Sequence, residues 1–161
     1  VGYCAAKDEK YFGFKGHLLM SSHGVPLSFT MAAANIDERD VLPELVEGLK
    51  GLLVADKGLI RPELKGFLTR LGLSLETPLR DNMKETRPSW FIKKIKSVRR
   101  KVETVIGQFV ERFNIQKIRA KDLWHLTAKV VRKILAHTMA FFVNLSQNPN
   151  KPLQLQAIIK P

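Results

Sequence analysis

The sequence predicts an α/β fold on three observations. Apolar residues alternate in extended fashion early in the chain, a short continuous apolar run in the middle ends on an aspartate, and helical spacing takes over from Phe91. Tyr11 to Ser21 reads as a strand with Phe12, Phe14 and Leu18 on one face and Lys15 and His17 on the other. Ser22-His23-Gly24 supplies turn chemistry, and Val25 to Thr30 resumes the extended pattern, so the pair reads as a hairpin. Pro26 lacks an N–H and places the second strand, or its start, at a sheet edge. Asn35 or Asp37 caps a helix over residues 39–49, with Gly51 as its stop; Asp37 and Asp40 belong to the helix start.

The run Leu52-Leu53-Val54-Ala55 has the character of a strand buried on both faces. Pro62 opens a helix closed by Gly72, and Leu73 to Leu79 forms a further strand. After a polar loop over 80–88, Ile95, Val98, Val102, Val105 and Phe109 repeat at intervals of three and four and predict one long helix. A last helix over 121–145 turns Leu123, Leu126, Val130, Ile134 and Phe141 toward a core. The proline-bearing tail from Ser146 is irregular, and Trp90 and Trp124 read as core or boundary residues.

Charge is distributed unevenly along the 161 residues. Residues 1–86 hold 11 basic and 12 acidic side chains, whereas residues 87–133 hold 14 basic and 3 acidic; the whole chain carries +12. A near-neutral half followed by a cationic one implies a scaffold with a polyanion-binding surface. Cys4 is the lone cysteine, which excludes an internal disulfide and a cysteine-rich zinc site and fits a reducing compartment. No apolar run reaches the roughly 20 residues needed to span a bilayer, and the N-terminus lacks the order of a secretory signal.

Two acids stand out. Asp56 closes the middle apolar run, where open α/β sheets expose functional groups, and Gly58 allows a sharp turn beyond it. It can bind a metal or accept a proton there, or it can simply cap a turn. Glu103 is the single acid between Arg87 and Val110, at the edge of the apolar stripe of a helix loaded with Lys93, Lys94, Lys96, Arg99, Arg100 and Lys101. Its simplest alternative role is an i,i+4 pair with Arg99, worth about 0.3–0.5 kcal/mol when exposed. The cations can hold phosphates near the acids without reading bases, or form a solvated helix face. His17 can approach the same site from its strand, with a structural role the stronger reading and a metal role the weaker.

The segments GYCAAKDEKYFGFKGHLLM, LPELVEGL, LLVADKGLI, TPLRDNMK and RRKVETVIGQFVERF, in that order, resemble insertion-sequence transposases with a DDE catalytic domain. The resemblance runs from Gly2 to about Leu145. It implies a ribonuclease H-like mixed sheet flanked by helices over residues 1–145, followed by a tail over 146–161. It implies DNA cleavage and strand transfer with transposon ends and target DNA as partners, a possible homo-oligomer, and a prokaryotic, nucleoid-associated cytoplasmic setting. Asp56 and Glu103 become ligands for Mg2+ or Mn2+, two ions in the complete enzyme, with Lys57 and the cations of the long helix as DNA contacts. Some relatives carry Y-x-x-R-x-x-x-E-x-x-x-x-x-x-K; here Arg99 and Glu103 match, but Lys96 and Val110 occupy the tyrosine and lysine positions. The resemblance also places a first aspartate on a central strand upstream of the hairpin. The expectation is therefore an incomplete sheet and a chain inactive on its own, with Asp8 no substitute. A non-catalytic DNA-binding remnant and a nuclease of the same fold are the alternatives.

Overall fold

A computed structural model describes residues 2–4, 8–80 and 82–155. Among them the protein is a mixed α/β structure with three two-stranded sheets and four α-helices. It divides into two compact units, one made of residues 1–19 and 27–99, the other of residues 20–26 and 100–161.

In the first unit, β1 (Gly2–Cys4) and β2 (Glu9–Tyr11) form an antiparallel pair that the sequence reading does not anticipate. β3 (Phe14–Met20) pairs with β4 (Pro26–Ala33), which begins at its proline as the missing N–H predicts. α1 (Glu38–Leu45) starts at Asp37, whose carboxylate accepts the Arg39 N–H at 2.9 Å. β5 (Gly51–Val54), α2 (Pro62–Arg70) and β6 (Leu73–Glu76) make a βαβ unit whose strands run parallel, with Leu53 opposite Leu75. Pro62 sits in the first turn of α2, where its missing donor costs nothing. Leu42, Val46, Leu53, Leu64, Leu68, Leu73 and Leu75 close into the core of this unit.

Arg87 fastens the loop after β6. Its Nη1 donates to Glu76 Oε2 at 2.6 Å and to the Thr77 carbonyl at 3.1 Å, while Nε and Nη2 fork onto Glu85. Arg87 and Glu76 side chains are each only 19% exposed, so the pair is better sheltered than a surface bridge. Lysine keeps the charge but loses the planar fork. Arg87→Lys should therefore lower the unfolding free energy by about 1 kcal/mol, seen as a reduced urea midpoint at unchanged slope. An unshifted midpoint would show that water replaces the lost bonds.

α3 (Ser89–Glu111) and α4 (Leu123–Gln147) match the two helices expected from periodicity. In the second unit Val105 and Phe109 of α3 and Val130 and Phe141 of α4 are buried. Asp122 caps α4 by accepting the His125 N–H at 2.8 Å. The segment after α4 turns back on the helix. The buried Asn144 amide donates to the carbonyls of Lys151, Pro152 and Gln154, and Leu155 is fully buried. Gln108 donates to the Leu153 carbonyl, and Gly24, with φ 93°, lies where any Cβ would meet the Leu153 side chain at 2.7 Å.

Several expectations are corrected. α1 ends at Leu45, because Gly48 takes φ 73° and turns the chain; Gly51 instead opens β5. β5 is not buried on both faces. Leu53 is inside, but Leu52 is 45% exposed, since the βαβ core covers one face only. β6 stops at Glu76 and does not extend to Leu79. Trp90 and Trp124 are 65% and 78% exposed rather than core residues, and Leu123 also faces solvent. No ladder among the described residues joins β5–β6 to the β3–β4 hairpin, the break that a sheet without its central strand would leave.

Candidate active site and nucleic-acid interface

The chain leaves β5 through Ala55, whose N–H still donates to the Glu76 carbonyl at 3.0 Å. Asp56 follows with φ −77° and ψ 157° and caps the single 3₁₀ turn Lys57–Leu59. Its Oδ1 accepts the Lys57 N–H at 2.8 Å and an Arg99 Nη2 donor at 3.3 Å. Asp56 is thus at the carboxyl end of a strand, as its sequence context predicts, and it also performs the capping role that was the simpler alternative. The side chain is 68% exposed, so the long contact with Arg99 contributes at most about 1 kcal/mol. Its value lies in position: it ties the end of β5 to α3 within the first unit.

Glu103 is one helical turn beyond Arg99 on α3 and is exposed, not tucked at the edge of the buried face. Helical geometry puts residues four apart on the same side. The spacing that pairs Arg99 with Glu103 in the sequence is not used as an ion pair, since Arg99 turns to Asp56. No local signal announces that partner, which is 43 positions away.

The predicted phosphate contacts divide into two groups. Lys57, Lys93, Lys94, Lys96 and Arg100 are exposed. Lys101 is partly buried and donates from Nζ to the Ser22 carbonyl at 2.9 Å, while Arg99 is engaged with Asp56. On a helix of 3.6 residues per turn, Lys93, Lys96 and Arg100 lie roughly opposite the stripe containing Ile95, Val102 and Val105. Like charges at this spacing repel by about 0.2–0.5 kcal/mol per pair, a penalty that a bound polyanion removes. His17, on β3, is partly buried; burial lowers its pKa, against an opposing influence from Glu38.

An exposed carboxylate at a strand end is a suitable hard oxygen donor for magnesium. Among the described residues, however, no group of three or more His, Cys, Asp or Glu side chains is placed to hold a metal ion. Asp56 fits as one ligand, but the described residues do not assemble a closed metal site. No helix among them is long and apolar enough to cross a membrane.

The profile of the family described as Transposase DDE domain matches residues 6–123, nearly three quarters of the chain. No curated protein and no solved structure matches it.

Proposed function

Since this chain belongs to the transposase DDE-domain family, we propose that it serves DNA cleavage and strand transfer by a mobile element, with Asp56 and Glu103 as its acidic groups. The observation that supports this reading is Asp56 at the carboxyl end of β5, held there by the Arg99 guanidinium within the first unit. Divalent ions of the Mg2+ or Mn2+ type, held by these carboxylates, would supply stabilisation of the attacking and leaving oxygens. Arg99 orients Asp56 from the helix. Lys93, Lys96 and Arg100 hold the phosphate backbone along the solvent face of α3, and Lys57 and Lys94 are further exposed cations. Such contacts position a duplex without reading its sequence.

The test is an assay of cleavage and of joining to a 3′-hydroxyl end in Mg2+, on DNA carrying the element's termini. Cleavage followed by joining supports a transposase, and hydrolysis alone would mean a nuclease. The absence of a three-ligand cluster among the described residues favours one second reading, a DNA-binding module without chemistry. Under that reading binding persists and neither reaction occurs.

The interface has its own expected result. Replacing Lys93, Lys96 and Arg100 together by glutamine should weaken duplex binding at all sequences alike. It should also flatten the slope of log affinity against log salt by about three, one per lost phosphate contact. Fluorescence anisotropy over a salt series measures this. An unchanged slope would remove α3 from the DNA interface.

A further inference from the structure

The connection between α3 and α4 is cationic, and it is held in place. Residues 112–133 carry seven basic side chains and one acid, Asp122. That acid is occupied: it caps α4, and both its carboxylate oxygens lie 2.8 Å from His125 Nδ1. The Phe113 ring packs on Phe109 and His137, and the Ile115 N–H donates to the Phe109 carbonyl at 3.0 Å. The connection therefore starts from the core of the second unit. Two lysines of α4 then bind its backbone. Lys133 Nζ donates to the Phe113 carbonyl, and Lys129 Nζ donates to the Arg119 carbonyl at 2.7 Å. These bonds lay the connection along α4, from the third turn of the helix back to its cap. Phe113, Ile115 and Ile118 are half-buried on this path, while Lys117, Arg119 and Lys121 are exposed.

α4 itself is apolar on two sides. One is buried at Val130, His137 and Phe141, and the exposed one begins at Trp124. Positions 124, 128 and 132 form one i, i+4 row, so Trp124, the small Ala128 and the exposed Arg132 follow one another over about 12 Å of helix. The indole ring is 78% exposed, in a stretch where cations of the connection and of the helix are gathered. Both features are unfavourable in water alone, because apolar surface stays wet and like charges repel. A polyanion that offers an accessible base face relieves both.

We infer that the α3–α4 connection and the first turns of α4 bind a DNA strand whose bases are unpaired. Trp124 stacks on a base, and Lys117, Arg119, Lys121 and Arg132 meet the phosphates. Charge complementarity selects a polyanion. The exposed indole selects one with open base faces, since in a duplex each face is covered by the next pair and Trp124 gains no partner. Lys129 and Lys133 serve as braces, their ammonium groups turned to backbone carbonyls. The inference rests on the reading that this chain handles DNA. To that reading it adds a surface made wholly of second-unit residues, none of them among Lys93, Lys96 and Arg100.

The test uses the whole chain and oligothymidylate of about twelve nucleotides, a length that covers one such site. In a Trp90→Phe background Trp124 is the remaining indole, and the oligonucleotide should quench its emission. Trp124→Leu keeps bulk and helix propensity but has no ring to stack. It should weaken oligothymidylate binding at least about fivefold in anisotropy titrations, with affinity for a duplex of equal length changed less than about twofold. Trp124→Phe should weaken it less. Arg119→Gln together with Lys121→Gln should flatten the salt slope for the single strand by about 1.4, at roughly 0.7 per phosphate contact. Far-UV circular dichroism should be unchanged, because all three positions are exposed. Absent quenching, single-strand binding indifferent to Trp124→Leu, equal loss of duplex binding in that variant, or phosphatidylglycerol vesicles that quench Trp124 and displace the oligonucleotide would each overturn the proposal. The two readings fail separately: a chain that cleaves no DNA can still show the quenching, and a chain that cleaves without it retains only the first.

Discussion

Replacing Asp56 or Glu103 with alanine, in a protein that carries this chain and performs the reaction, should lower Mg2+-dependent cleavage by at least about 10³-fold, equivalent to about 4 kcal/mol of transition-state stabilisation. Duplex affinity should stay within about twofold, since phosphate contacts come from other side chains. Asp56 needs a second variant, because it also caps the 3₁₀ turn through the Lys57 N–H. Asparagine caps as well as aspartate but supplies no carboxylate. If Asp56→Asn is as inactive as Asp56→Ala, the charge is what the chemistry uses. If asparagine restores activity, Asp56 is a capping residue and the acidic pair dissolves. Equal loss of DNA binding in the Asp56 and Glu103 variants would also count against the assignment.

The second large effect concerns the core of the second unit. His137 is fully buried, stacked 4.6 Å from Phe109 and 5.7 Å from Phe113. Gln108 donates its amide to Leu153, so its Oε1 is the acceptor that faces His137 Nε2 at 2.9 Å. The imidazole proton therefore sits on Nε2. Nδ1 has no partner among the described residues, and protonation there would bury a charged donor with no acceptor. Burial accordingly lowers the pKa to about 4 from 6.5.

For a base whose folded pKa is depressed, the unfolded chain takes up the proton first. Stability is thus full above about pH 7 and falls as pH drops from 6.5 toward 4. The whole interval is worth about 3 kcal/mol, of which about 2 should be lost by pH 5. Carboxylates with lowered pKa values, such as Asp122 and Glu85, lose their contribution only in more acidic solution, so pH 7.5 against pH 5 isolates histidine. His17 also has a lowered pKa and contributes in the same window, which makes His137→Gln the necessary comparison. Urea unfolding at the two pH values should show a midpoint drop in the native chain and less than half that drop in His137→Gln. Equal drops would mean that water reaches Nδ1.

Much of the layout is legible in the residues themselves. Pro26 sets the start of β4, Asp37 and Pro62 the starts of two helices, and three- and four-residue spacing the extents of α3 and α4, because each depends on local backbone chemistry or periodicity. The place of Asp56 at a strand end is legible for the same reason. The short β1–β2 pair is not, since three-residue strands carry too little pattern to register. The exposure of Trp90 and Trp124 is not legible for another reason: composition records that a side chain is apolar, while burial depends on whether another element arrives to cover it.

The amino-acid sequence by itself determined the α/β class, the family and the cationic character of the long helix, all of which follow from order, spacing and charge along the chain. Only tertiary structure decided that Arg99 turns to Asp56 and not to Glu103, that β5 is covered on one face, and which of the two apolar sides of α4 is buried. Those outcomes depend on which distant segments meet. A helix apolar on two sides offers either one to a core equally well until packing makes the choice.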